Sequence, residues 1–161
     1  MSVIAAAVFG IIHDQITARI CIEYFTIGHP RLIESESPTI LGLFWGIVAT
    51  WWVGLPLGVG LAVAARAGDR PKIRAVETIR PILILMTVMY GVAFFAGLIG
   101  FVTSNLGAFH LNEPLASSIP QNKHVAFLTD AWAHGGSYAA GLVGGMALWF
   151  RVWRRRGVHL N

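Results

Sequence analysis

Apolar runs long enough to cross a bilayer organise this chain. From Ile40 to Ala65 there are 26 residues without a charge, set between Glu36 and Pro38 on one side and Arg66 on the other. About 20 apolar residues span the hydrocarbon core, so this run predicts a membrane-crossing helix. Ile82 to Thr103 is equally free of charge, and Pro81 just before it suits a first helical turn. Val125 to Phe150 has the length but carries Asp130 and His134. The N-terminal run is apolar from Val3 to Ile12, after which His13, Asp14, Gln15, Arg19 and Glu23 alternate with Ile16, Ile20 and Ile22. The pattern predicts an all-α integral membrane four-helix bundle. Its spans lie at about 3–25, 40–65, 82–103 and 125–150, in one transmembrane domain covering 1–161. Pro56 is expected to kink the second span, and a short surface helix is expected between Pro114 and Pro120.

Composition supports the same class. Of 161 residues 55% are hydrophobic and 12% charged, about half the charge usual in soluble domains. That excludes a soluble globular domain, and the high hydrophobicity excludes intrinsic disorder. Cys21 is alone, so there is no disulfide framework, and its apolar neighbours make it an inert core residue. Nine of the 12 basic residues fall on one side: Arg66, Arg70, Lys72, Arg74 and Arg80 between spans 2 and 3, and Arg151, Arg154, Arg155 and Arg156 after span 4. Arg31 and Lys123 lie on the other side. The positive-inside rule then places both termini in the cytoplasm. The same positions exclude a nucleic-acid partner, despite a pI near 9.8, because charges flanking helix ends face anionic headgroups. The expected partners are the lipid bilayer and either a second copy or a larger membrane complex. His159 is expected to be solvated in a polar tail.

Chemistry is sought where ionisable residues enter the spans, since lipid makes them expensive and they are functional candidates by default. Spans 2 and 3 hold only Tyr90, whereas spans 1 and 4 hold His13, Asp14, Arg19, Glu23, Asp130 and His134. Asp130, His134, Ser137 and Tyr138 share one helical face by their spacing. Gly42/Gly46, Gly54/Gly58 and Gly141/Gly145 are small-residue pairs that let helices approach closely. With a rise of about 1.5 Å per residue from Val3 and from Phe150, Arg19 and His134 both fall at about 24 Å, and Glu23 and Asp130 at about 30 Å. His13 and Asp14 fall lower on this ruler, at about 15 and 17 Å.

These residues predict a metal site toward the outer face between spans 1 and 4. His13, Asp14, Asp130 and His134 are its ligands, with Glu23, His29 or His124 as further donors. Imidazole and carboxylate together suit zinc, iron or manganese, and the i, i+4 spacing of Asp130 and His134 can place both on one ion. Redox or hydrolytic chemistry follows if a coordination position stays open. Glu23 is then a ligand or general base, and Arg19 the counter-ion that sets their charge state. Three other readings stay open: a non-catalytic subunit whose ion pairs serve packing, with Arg19 paired to Asp130 or Glu23; haem held between His13 and His134; and a proton-coupled small-solute carrier using Asp14, Asp130 and the histidines.

The string from His13 to Pro30 contains H-D-Q-x-T at His13, Asp14, Gln15 and Thr17, and E-Y-F-T at Glu23, Tyr24, Phe25 and Thr26. It resembles a pattern of small, uncharacterised bacterial membrane proteins over about a tenth of the chain. The resemblance implies a multi-pass protein of the bacterial inner membrane and transfers no activity.

Overall fold

The computed structural model describes residues 1–158, so His159 lies outside the described residues. The chain is all helical, with no strand among these residues. Helix α1 spans Ser2–Ile20 and α2 spans Ile22–Thr26; α3 spans Pro38–Val48 and α4 spans Trp51–Arg66. A 3-10 turn at Ala75–Thr78 leads into α5, Ile79–Asn105. The short α6, Leu115–Ser118, fills the segment between Pro114 and Pro120, and α7 runs from His124 to Val158. Three helical segments are long and apolar enough to cross a membrane: Ser2–Ile20, Pro38–Arg66 and Ala75–Asn105. α7 has 35 residues, but the polar and charged side chains along it dilute its apolar character.

Two helix interruptions differ from the expected spans. The first span does not continue to Phe25, because Cys21 is extended (φ −145°, ψ 100°) between α1 and α2. Ile20 and Ile22 flank Cys21, and β-branched residues weaken helix propensity. The turn folds Tyr24 and Phe25 back over the end of α1, and Cys21 is fully buried as a free thiol. In the second span, Pro56 sits inside α4, and the span is interrupted at Ala49 and Thr50. There the Thr50 hydroxyl donates to the Gly46 carbonyl, a side-chain bond that competes with the helical ladder.

Helix α1 lies against α3 and α4, α5 runs along α7, and α4 closes against α7. The approach of α1 to α3 is backbone on backbone: a Cβ built on Gly46 meets the main chain of Gly10 and Ile11, and one on Gly42 meets that of Asp14. Only glycine at these positions lets the helices sit at this distance. The outward faces are apolar, as at Leu83, Ile84, Val88, Phe94 and Phe95 on α5, where no protein covers them.

Arg156 departs from the expectation that the terminal arginines face headgroups. It is 1% exposed, and its guanidinium donates to the carbonyls of Ala64 (2.8 Å), Ala67 (2.8 Å), Arg70 (2.9 Å) and Pro71 (2.7 Å). The last carbonyls of a helix have no intrahelical donor. Arg156 supplies one to the end of α4 and ties the following loop to α7.

Candidate metal centre

His13 and Asp14 are adjacent on α1, and His134 faces them from α7; all three are buried. Each offers one ligand atom within 4.8 Å of the other two. His134 Nδ1 lies 2.8 Å from the Asp130 carbonyl. A carbonyl only accepts, so Nδ1 carries the proton and Nε2 is left with its lone pair. That Nε2 lies 3.1 Å from Asp14 Oδ1, close to the separation of two donors that each sit at about 2.1 Å from one ion. His13 Nε2 is buried with no hydrogen-bond partner. A buried nitrogen without a partner costs about 1–3 kcal/mol, and a metal ion is one group that satisfies it. Two imidazoles and one carboxylate leave coordination positions open, as in catalytic rather than closed structural sites.

The surrounding residues fix this cluster. The Asp130 backbone orients the His134 ring from outside, as partners of ligating histidines do. The Asp130 side chain is fully buried and neither carboxyl oxygen has a hydrogen-bond partner; it faces the Cys21 backbone and lies close enough to feel the Asp14 charge. Tyr24 stacks on His134 at 4.5 Å between ring centroids, and Phe25 meets the same ring edge-on at 5.8 Å. Phe9 stacks on His13, and the Tyr90 hydroxyl on α5 donates to the Phe9 carbonyl at 3.2 Å. In the segment after α2, His29 is half-buried; its Nδ1 is 2.8 Å from the Tyr24 carbonyl and its ring lies against Phe25 and Trp45. Burial holds the His29 imidazole below its ordinary pKa, with the Tyr24 carbonyl acting in the opposite sense.

The other expected site residues lie outside the three-donor cluster. Arg19 is exposed and donates to Gln15 and to the Thr39 hydroxyl, not to Asp130 or Glu23. Glu23 accepts from the Cys21 thiol at 3.4 Å and pairs with Lys123 at 3.7 Å. His124 contacts the Ile119 carbonyl at the start of α7. The haem arrangement fails on geometry: the His13 and His134 rings touch edge to face with centroids 4.5 Å apart, leaving no slot for a porphyrin between them.

The depth ruler placed His13 well below His134, yet they touch. Its starting levels were unequal: Ser2 packs at Gly58 and Trp149 at Gly60 on α4, two residues and about 3 Å nearer the Arg66 end. From there α1 reaches the site in 11 residues and α7 in 15, and the offset takes up about half of that difference. Tyr90, the one ionisable residue of the two apolar spans, was the sequence signal for α5 reaching this region. The aromatic cover depends on the break at Cys21 and has no periodic signature. No known family, curated protein or solved structure matches the chain.

Proposed function

We propose that this chain is a multi-pass protein of the bacterial inner membrane. In this reading its four helical spans form a bundle with both termini in the cytoplasm, built around a divalent transition-metal site. His13, Asp14 and His134 are the ligands, Asp130 stands beside them, and zinc, iron or manganese fits the donor set. The observation that carries the reading is the buried, partnerless Nε2 of His13 beside the Asp14 and His134 donor atoms. Redox or hydrolytic activity would use the open coordination positions. Arg19 and Glu23, away from the donors, would act on the site through charge and helix position rather than by touching the reacting atoms.

The test is elemental analysis of protein purified in detergent, with wild type beside His13→Ala and His134→Ala. Stoichiometric metal in wild type and its loss in both variants is the expected result. Metal at wild-type level in both variants would move the site elsewhere, and no metal after growth with each ion would end the reading. A second reading is favoured by the 3.1 Å contact of His134 with Asp14. There the pair serves packing alone within a larger complex, and the same measurement finds no metal.

A further inference from the structure

The three-donor cluster opens on one side only among the described features. Tyr24, Phe25 and Phe127 cover its far side. Toward Ser2 it opens into a cavity of about 100 Å³ enclosed by α1, α4, α5 and α7. On α1 this cavity follows the helix from His13 back to Ser2, about 17 Å at the usual helical rise. A volume of that size over such a length describes a tube about one methylene wide. Its wall is carbon: Phe9, Leu57, Leu61, Leu85 and Met89 among others. Apart from Ser2 at its far end, the hydroxyls that reach it are already engaged, Thr50 with the Gly46 carbonyl, Ser137 with that of His134 and Tyr138 with that of Ala49.

At the opposite end lies a second hollow between the start of α1 and α4, which shares Ser2 and Leu61 with the first. Leu55 and Val59 line it and are exposed on the outer face of α4, so it is reached from the lipid side. The one charged residue lining it is Arg66, which is exposed. The two hollows adjoin at Ser2 and Leu61, so a cationic rim, an apolar tube and the cluster of donors follow one another.

We infer that this path takes the single alkyl chain of an anionic amphiphile. The carboxylate or phosphate rests at Arg66, the chain passes Ser2 and Leu61, and its distal carbons reach His13, Asp14 and His134. Sugars, nucleotides and peptides are disfavoured, because between Ser2 and the donor cluster the wall is carbon and an unpaired polar group there is costly. The cation at the mouth selects an anionic head. The binding depends only on the cavity, and any use of the donors on the bound chain rests on the metal reading.

A fatty acid with a photoactivatable diazirine at the chain end, and a phosphatidylglycerol bearing the same chain, test this in bicelles, with labelled peptides mapped by mass spectrometry. The chain-end diazirine is expected to label the segments holding Phe9, Met89 and Tyr138, and a diazirine near the head to label Leu55 to Leu61. Gly141→Leu fills the tube, because a side chain there meets Met89. Ala5→Phe narrows it from α1 and serves if the first variant does not fold. Each should lower chain-end labelling by about tenfold, as overpacking a tight site does, while Val88→Phe on the lipid face leaves it unchanged. Arg66→Gln should weaken labelling near the head. Labelling by the free acid alone, by the lipid alone or by both supports the inference and identifies the source. Labels scattered over Leu83, Val88 and Phe95, and unaffected by Gly141→Leu and Ala5→Phe, overturn it. Protein stripped by chelator separates the two readings. Cavity labelling in protein that never binds metal overturns the metal reading alone, and bound metal without cavity labelling overturns this inference alone.

Discussion

Replacing Asp14 with asparagine separates a metal ligand from a packing pair. Asp14 and His134 have side chains 6% and 8% exposed and lie 3.1 Å apart, so neither is screened by solvent. If the pair exists only for packing, the amide of Asp14→Asn keeps the shape and can donate to His134 Nε2, so the loss is about 1 kcal/mol and is the same with or without metal. If the pair holds a metal, the cost divides by condition. With chelator present, the amide keeps the shape and a hydrogen bond, and the loss is about 1 kcal/mol. With metal at 100 times its dissociation constant, wild type gains about 2.7 kcal/mol from ligand linkage, and the variant, with a weaker oxygen ligand, gains little of it. For a chain of 161 residues, where 1 kcal/mol moves Tm by about 2–4 °C, the wild-type gain is about 5–10 °C. Thermal unfolding of both proteins in one detergent, with chelator and then with zinc, iron or manganese, measures the four values. An equal loss in all conditions, with no metal-dependent rise in wild type, would refute the reasoning.

Arg156→Met should lower stability by about 3 kcal/mol, because it strips four carbonyls of a charged donor while burying a side chain of similar length; Arg151→Met, at an exposed position, is the control, and equal Tm values for the two would contradict the anchoring role. Gly46→Leu should force α1 from α3 and cost at least about 3 kcal/mol, with metal content falling as His13 and Asp14 move with α1; unchanged Tm and metal content would show that the backbone contact is not required. His29, whose folded pKa is lowered by burial, binds a proton more readily when unfolded. Its contribution to stability is therefore present above about pH 6.5 and lost as the pH falls through and below that value. Wild-type Tm should drop more steeply from pH 7 to pH 5 than that of His29→Gln, and parallel curves would contradict this assignment.

The helical class was legible because lipid imposes a one-dimensional rule: uncharged runs such as Ile40 to Ala65 and Ile82 to Thr103 can satisfy their backbone only as helices. Scarcity of charge made the exceptions visible, so His13, Asp14, Asp130 and His134 could be selected from spacing and composition alone. The polar face of α7 was equally readable from its i, i+4 and i+7 positions. Sequence spacing does not carry the level at which one helix packs on another, however, and the ruler that separated His13 from His134 assumed equal levels. It also placed Arg19 and Glu23 level with the site, whereas rotation about α1 and the break at Cys21 turn them toward Gln15, Thr39 and Lys123.

The sequence by itself determined which segments are apolar helices and which residues are too costly to bury without purpose, since both depend on local composition and period. Tertiary structure alone decided which of those residues meet. Glycine-to-backbone contact brings α1 against α3, α7 carries His134 to Asp14, and the extended Cys21 lays Tyr24 over the His134 ring. Arg156 shows the same division: its position among terminal arginines reads as a headgroup contact, and only folding reveals the carbonyls at the end of α4 that draw it inside. Relative depth, rotation and cavity shape arise from packing between elements distant in the chain, and no period along the sequence records them.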